Sequence, residues 1–341
     1  MARLVYFLGA GAARQSGYPT TPELFTSLLK EKQGLMMVSS FLAPLQAAIG
    51  HSTVDIETLY TMVMQGADAQ LNEWYQSVEA GPLSQRFLLS LLRSYPQGGS
   101  ILADATKAFK ECADAIVKFL QEEFWLNLPD LRPYSELKIM DAVHKFGTEG
   151  VSVFTTNYDI SLEDFLLEQK ISFDRGVEGE LYKPEILAQS GGRKLRLVKL
   201  HGSIDFYTLS GGEIRVINAR HEPGPWRAGK VIQSLYIVPP VEGKIRYDHA
   251  QLSLFEFFER EVGQADILAI IGTSFRDHLV AETLAKAGSN CRILIACGSR
   301  SNEYEQAWFK DRGNRAQAVT SHFPHPAISD WLVNAVNEIA V

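Results

Sequence analysis

Residues 4–13 read LVYFLGAGAA. The apolar run Leu4–Leu8 ends in a glycine-alanine-glycine loop at Gly9, Ala10 and Gly11. A strand that is apolar at every position is buried on both faces, as in a parallel sheet covered by helices. Glycines directly after such a strand let the backbone come close to a phosphate, and a following helix start supplies amides and a positive dipole end. The third glycine of a G-x-G-x-x-G loop would fall at Arg14 and is absent. On its own, the loop reads either as a phosphate turn or as a plain tight turn.

The same strand-then-loop pattern recurs after residue 147. Val151–Thr155 runs into Thr156-Asn157-Tyr158-Asp159, with a helix expected over 162–169. Leu195–Leu200 runs into His201-Gly202-Ser203. Ile267–Ile271 runs into Gly272-Thr273-Ser274, followed by a helix around His278–Ala287. Arg292–Cys297 runs into Gly298-Ser299. Helices are expected at Leu252–Gly263 and Ile328–Ile339. Residues 204–240 read as irregular loop and hairpin, with a turn at Gly211-Gly212 and a short strand at Tyr236–Val238. The alternation predicts an α/β fold: an open, mostly parallel, Rossmann-like sheet with helices on both faces. Ligands of such sheets sit beyond the carboxyl ends of the strands.

Between the first strand and the second the pattern changes. Thr53–Gln65, Leu83–Tyr95 and Ala103–Leu126 carry apolar residues three and four apart, with Gly and Pro between the segments. Thr21 before Pro22 and Glu23 reads as a helix start. The expected division is a sheet domain over 1–30 and 148–341, carrying an inserted helical subdomain over 31–147. The chain has 341 residues, 46% of them hydrophobic, enough for such a core.

Charge and cysteine usage narrow the function. The net charge of −7 argues against a broad nucleic-acid face. Direct nucleic-acid binding is therefore not expected. Cys112, Cys291 and Cys297 form neither a disulfide framework nor a four-cysteine zinc site. The expected compartment is the cytoplasm. The five-residue run at Leu4–Leu8 is shorter than a secretory core of about 7–15 residues, so it reads as a buried strand. No run approaches the roughly 18 apolar residues of a membrane span, and no membrane partner is expected.

The loop residues carry candidate chemistry. The Asn157 amide can orient a water or a ribose hydroxyl, and Asp159 can accept from a carboxamide. Both also suit an Asx-turn capping the next helix. His201 is a natural general base near pH 7, or a hydrogen-bonded structural histidine. Thr273, Ser274, Gly298 and Ser299 suit phosphate or ribose contacts, or ordinary turns. Cys297 reads as a packed thiol rather than a nucleophile, and His322 with His325 lacks the company of a metal site. Arg193, Lys194, Arg196 and Lys199 read as a solvated strand edge or a contact for an acidic partner. The motifs G-x-S-x-G, H-E-x-x-H and G-x-x-x-x-G-K-[ST] are absent.

Four stretches in order, FLGAGAARQSGYPT, TTNYD, KLHGSID and IGTSFRD, together resemble the sirtuin-like NAD-binding family, in particular its divergent bacterial branch from antiphage defence systems. The resemblance implies that Gly9, Ala10 and Gly11 hold the phosphates of NAD+. It implies that Asn157 engages the nicotinamide ribose and a water, Asp159 the carboxamide, and His201 the chemistry. Gly272, Thr273 and Ser274 would help bind the dinucleotide. Ala12, Thr156, Gly298 and Ser299, in the same loops, complete the expected binding set. The chain departs from the deacylating members: it has no paired CxxC zinc module, Ala13 stands where a serine is common, and Thr20-Thr21-Pro22 follows Pro19.

The activity so implied is an NAD+ glycohydrolase without a metal, giving nicotinamide and ADP-ribose or a cyclic isomer and acting as a gated antiphage effector. Gating is expected from a homo-oligomer or from a separately encoded partner, an ATPase or an argonaute-type protein. An NAD-dependent protein deacylase and a non-catalytic module sensing NAD+ or ADP-ribose are the alternatives.

Overall fold

The computed structural model describes residues 3–30, 59, 63, 111–113, 115–116, 118–120, 129–189, 194–209, 213–217, 232–237 and 249–339. The expected helix at 83–95, most of those at 53–65 and 103–126, and the turn at 211–212 lie outside the described residues. So does Arg193. The chain divides into two compact units. One comprises Met1–Tyr18, Asn127–Val238 and Tyr247–Val341; the other comprises Pro19–Leu126 and Pro239–Arg246.

The first unit is an α/β domain of Rossmann-like type. Its strands are β1 (Leu4–Leu8), β2 (Val151–Thr155), β3 (Phe173–Asp174), β4 (Val177–Glu178), β5 (Leu181–Tyr182) and β6 (Leu195–Lys199). They continue with β7 (Gly202–Leu209), β8 (Ile214–Val216), β9 (Ile232–Ile237), β10 (Ile267–Ile271), β11 (Arg292–Ala296) and β12 (Ala316–Ala318). A seven-stranded sheet runs β12-β11-β10-β1-β2-β6-β3, and every pairing in it is parallel.

The helices are α1 (Ala10–Ala13), α2 (Thr21–Lys30), α3 (Ile139–Phe146), α4 (Ser161–Glu168) and α5 (Glu185–Gln189). They continue with α6 (His249–Gly263), α7 (His278–Ala285), α8 (Ser301–Trp308) and α9 (Pro326–Glu338). Side chains alternate between the two faces of a strand. Leu4, Tyr6 and Leu8 of β1 accordingly join one core with α3, α4 and α9. Val5 and Phe7 join the other with α6 and α7. All five residues of β1 are buried, as the unbroken apolar run requires. Among the described residues, no helix is long and apolar enough to cross a membrane.

Within residues 204–240 the expected hairpin is present as β7 and β8, paired antiparallel, and the expected strand at Tyr236 falls in β9. Beyond expectation, these strands join β4 and β5 in a second, antiparallel sheet that runs β4-β5-β8-β7-β9. The full extent of β7 is hidden from the sequence because the strand carries buried Asp205, a residue that reads as loop. Asp205 is held by Arg175 through paired hydrogen bonds, each 2.9 Å, and the guanidinium also lies over the Phe206 ring.

Helix α2 belongs to the second unit. It begins at the expected Thr21, and the Glu23 carboxylate accepts from the Thr20 amide at 2.8 Å and the Thr20 hydroxyl at 2.7 Å. Of the described residues of that unit, Leu59, Val63, Ile116 and Phe119 are buried.

Candidate functional site

Strand register brings the expected loops together. Leu8 is level with Thr155 and with Ile271, Thr155 with Lys199, and Ile271 with Ala296. One rung thus crosses β6, β2, β1, β10 and β11. Gly9, Thr156, Leu200, Gly272 and Cys297 are the next residue on each strand, and all five loops leave from the same edge. Asn157 and His201 stand two residues past paired positions on neighbouring strands. The connections from β1 and β10 lead to opposite sides of the sheet, and such a reversal opens a crevice between strand ends.

The two glycine loops at that crevice interlock. The Gly9 amide donates to Ile271 at 2.9 Å and the Gly11 amide to the Gly272 carbonyl at 2.9 Å. A Cβ on Gly9 would lie 2.6 Å from the Thr273 Cα. Gly272 adopts φ +71°, and a Cβ there would lie 2.2 Å from the Ala12 nitrogen. These glycines are therefore required by contact between the loops themselves. The Ala12 amide donates back to Gly9 at 2.9 Å, so the amides of Gly9, Gly11 and Ala12 are all bonded inside the protein. Gly9 and Ala12 are buried, while Ala10, Gly11, Gly272 and Thr273 are half-buried and Ser274 is exposed. The Thr273 hydroxyl accepts from the Phe275 amide at 3.3 Å. Phe275 itself holds φ +52°, a left-handed conformation uncommon outside glycine, and its ring packs on Tyr304 and Trp308.

Asn157 is fastened to the first of these loops. Its side-chain nitrogen donates to the Gly9 carbonyl at 3.1 Å, and its own amide donates to the Thr155 hydroxyl at 3.0 Å. That hydroxyl donates in turn to the Leu8 carbonyl, beside the half-buried Thr156, whose amide donates to the same carbonyl.

Asp159 turns into the core. Its Oδ1 accepts from the Ser161 amide at 3.0 Å and from the Ser161 hydroxyl, which also meets the Tyr134 hydroxyl at 2.6 Å. The carboxylate is thereby engaged at the start of α4, the Asx arrangement that suits this residue type.

Beneath the 156–160 loop lies a buried charge network. The Lys199 ammonium donates to the carbonyls of Tyr158 and Asp159 and pairs with Glu163 at 3.3 Å. Arg175 approaches Glu163 at 3.5 Å and holds Asp205. Burial alone would raise the Asp205 carboxyl, but the Arg175 charge and hydrogen bonds outweigh it and hold the group below its usual range. The expected solvated edge at Arg196 and Lys199 is thus overturned. β6 lies inside the sheet between β2 and β3, and Arg196 pairs with buried Glu261 at 2.9 Å. Lys194 alone of the described basic residues there is exposed.

His201 follows β6 at a turn that only glycine can complete. Gly202 has φ +79°, and a Cβ there would lie 2.0 Å from the Tyr236 carbonyl oxygen. The imidazole is buried, 4% exposed, with the Tyr158 ring 6.5 Å away. Its Nε2 lies 3.0 Å from Asp277 Oδ2. Its Nδ1 is buried with no hydrogen-bond partner among the described residues. The other oxygen of Asp277 accepts from the Val280 amide at 3.1 Å and caps α7. Burial pushes the Asp277 carboxyl up. The His201 hydrogen bond and charge and the α7 amides push it down, and the net shift is downward.

Asp277 was absent from the expected site residues. It closes the quoted stretch IGTSFRD, and an acidic residue at a helix start reads first as a cap. Its partner lies 76 residues away, which no local pattern reports.

Gly298 is buried and Ser299 exposed. Gly298 has φ +70°, and a Cβ there would strike the His322 ring at 2.4 Å. His325 caps α9 by accepting from the Ala327 amide. Burial pushes the Cys297 thiol up to about 12, which makes it a packed thiol rather than a thiolate nucleophile.

Comparison with known proteins bears on the same region. Residues 151–316 match the family model of the SIR2-like domain, a span that contains Asn157, His201 and Asp277 and leaves out Gly9–Ala12. A solved structure described as "Structural Basis for the Mechanism and Regulation of Sir2 Enzymes" is similar to this chain at 15% identity and a TM-score of 0.42, covering 99% of this chain and 94% of its own. No curated protein matches the sequence.

Proposed function

We propose that the protein hydrolyses the bond between nicotinamide and ribose in NAD+. The observation that carries this reading is the shared rung. Register sets Asn157 and His201 side by side on adjacent strand ends, next to the interlocked glycine loops at the crevice. The SIR2-like match over 151–316 supports the choice of dinucleotide. A buried imidazole nitrogen without a partner among the described residues supports the choice of base, since orphaned buried acceptors are costly and uncommon.

The roles follow from the groups. The rim formed by Ala10, Gly11, Thr273 and Ser274 would seat phosphate and ribose, with Gly298 and Ser299 beside it. Asn157, held by Gly9, would orient the ribose and the attacking water. His201 would take a proton from that water as nicotinamide leaves. A positioned base contributes about 10²–10⁴-fold, and positioning of the water adds to it. Asp159 has one oxygen engaged by Ser161; its second oxygen is the one that would meet the carboxamide.

The experiment is a chromatographic assay of nicotinamide and ADP-ribose with the purified full chain. His201→Ala and Asn157→Ala should each abolish NAD+ consumption while melting close to wild type. Wild-type turnover by either variant would overturn the reading. Nicotinamide release that requires an acylated peptide would indicate the deacylase instead. Binding of NAD+ without turnover would indicate the sensing module.

Free NAD+ depletion is harmful to a cell, so the activity is read as a gated antiphage effector. Control would come from self-assembly or from a separately encoded partner of ATPase or argonaute type. A lone monomer with full turnover would exclude such gating; mass measurement alongside the assay decides it.

A further inference from the structure

We infer that Asp277 is the positioning residue of this site: its carboxylate fixes His201 with the proton on Nε2 and leaves the Nδ1 lone pair as the base. The inference rests on the hydrolase reading above, but its geometry stands apart from it. Asp277 Oδ2 lies 3.0 Å from Nε2, and an ionised carboxylate only accepts hydrogen bonds. Nε2 must therefore carry the hydrogen. In the neutral ring the remaining nitrogen is then an acceptor, and Nδ1 is the nitrogen with no partner among the described residues.

The carboxylate is itself immobilised. Its Oδ1 is held by the Val280 amide at 3.1 Å, at the start of an eight-residue helix. Two residues earlier, Phe275 anchors the loop through Tyr304 and Trp308 at φ +52°. Strained backbone of this kind persists only where surrounding packing enforces it. The loop after β10 thus supplies a rigid arm that reaches the residue after β6.

The proton balance is simple. The water oxygen bonds to the ribose carbon, and the nicotinamide nitrogen leaves with the electrons of the broken bond. Nδ1 takes the proton of the water. The resulting imidazolium shares its charge with the adjacent Asp277 carboxylate until the proton passes to solvent. Asp277 touches no reacting atom in this scheme and acts through His201.

The test is Asp277→Asn, which keeps the shape and the helix cap. With Oδ1 still accepting from Val280, the new amide nitrogen faces Nε2 and donates to it, which moves the ring hydrogen to Nδ1. Asp277→Ser is the second variant: it retains a capping oxygen but is too short to orient the ring. Long-range ¹⁵N–¹H correlation spectra of histidine-labelled protein, with His201 assigned from His201→Ala, read the tautomer directly. The expected result is Nε2–H in the wild type and Nδ1–H in Asp277→Asn. For both variants kcat should fall on the order of 10²–10⁴-fold with KM changed by only a few-fold.

A wild-type Nδ1–H tautomer, an unchanged tautomer in Asp277→Asn, or wild-type kcat in that variant would overturn the inference. Failure of the hydrolase reading shows differently. The tautomer then still switches while the wild type itself leaves NAD+ intact, and Asp277 stands as the residue orienting His201 for another reaction.

Discussion

The Gly11 amide donates to the Gly272 carbonyl at 2.9 Å, joining the loops after β1 and β10 backbone to backbone. Any side chain at position 272 enters that junction, 2.2 Å from the Ala12 nitrogen and at φ +71°. Gly272→Ala should therefore cost more than the roughly 1–2 kcal/mol of a left-handed alanine and weaken dinucleotide binding as well. Gly17→Ala is the control, with φ +96° and no atom of the described residues within 4 Å of an added Cβ. Thermal melts and NAD+ titration of the two variants check it. Equal melting temperatures would refute the junction.

Arg175 is the main cation, ahead of Lys199, that keeps Asp205 ionised inside the protein. Arg175→Met leaves that carboxylate and Glu163 short of a partner, a loss of about 3–5 kcal/mol for a broken buried pair. The pH dependence has a definite sign. The folded carboxyl lies below its unfolded value near 3.9. Its contribution is therefore present above that pH and is lost as pH falls through the lowered folded value. Acid unfolding of Arg175→Met should begin at higher pH than in the wild type, as followed by circular dichroism.

Glu261 ties the opposite end of the sheet. It pairs with Arg196 at 2.9 Å, accepts from the Ser152 hydroxyl at 3.0 Å and lies 3.4 Å from Arg3. Glu261→Gln should lower stability by about 3 kcal/mol without changing KM for NAD+, since none of its partners belongs to the loop edge. Urea titration and steady-state kinetics measure the two quantities separately.

Cys112, Cys291 and Cys297 share one property: burial pushes each thiol up to about 12. The native protein should resist alkylation at pH 8, and denaturant should release all three thiols to the reagent. Cys297→Ala should retain turnover. Rapid native modification coupled to loss of activity would contradict the assignment of Cys297 as a packed residue.

The parallel core was legible because β1 and β10 are apolar at every position. Leu4–Leu8 and Ile267–Ile271 fall where the apolar runs place them. Of the second sheet, only the hairpin and the strand at Tyr236 were legible. β4 and β5 are two residues each, too short for any periodicity, and β7 hides Asp205 behind a partner from another element. Lys199 misleads in the same way, since a buried lysine depends on acceptors from Tyr158, Asp159 and Glu163 that a local reading cannot assemble. At the candidate site, residue types and spacing pointed to the strand-end loops. The pairing of His201 with Asp277 depends on three-dimensional closure and was visible only as two unconnected motifs.

The charge network under the Asn157 loop has a thermal consequence. Heating makes ion hydration less favourable, so the penalty for keeping Lys199, Glu163, Arg175 and Asp205 dry shrinks, while apolar burial gains little further. The segment they grip is accordingly among the last to loosen in a warming molecule. Loss of activity with temperature should then track melting of the whole parallel sheet, with no earlier fraying around the amide that Gly9 holds.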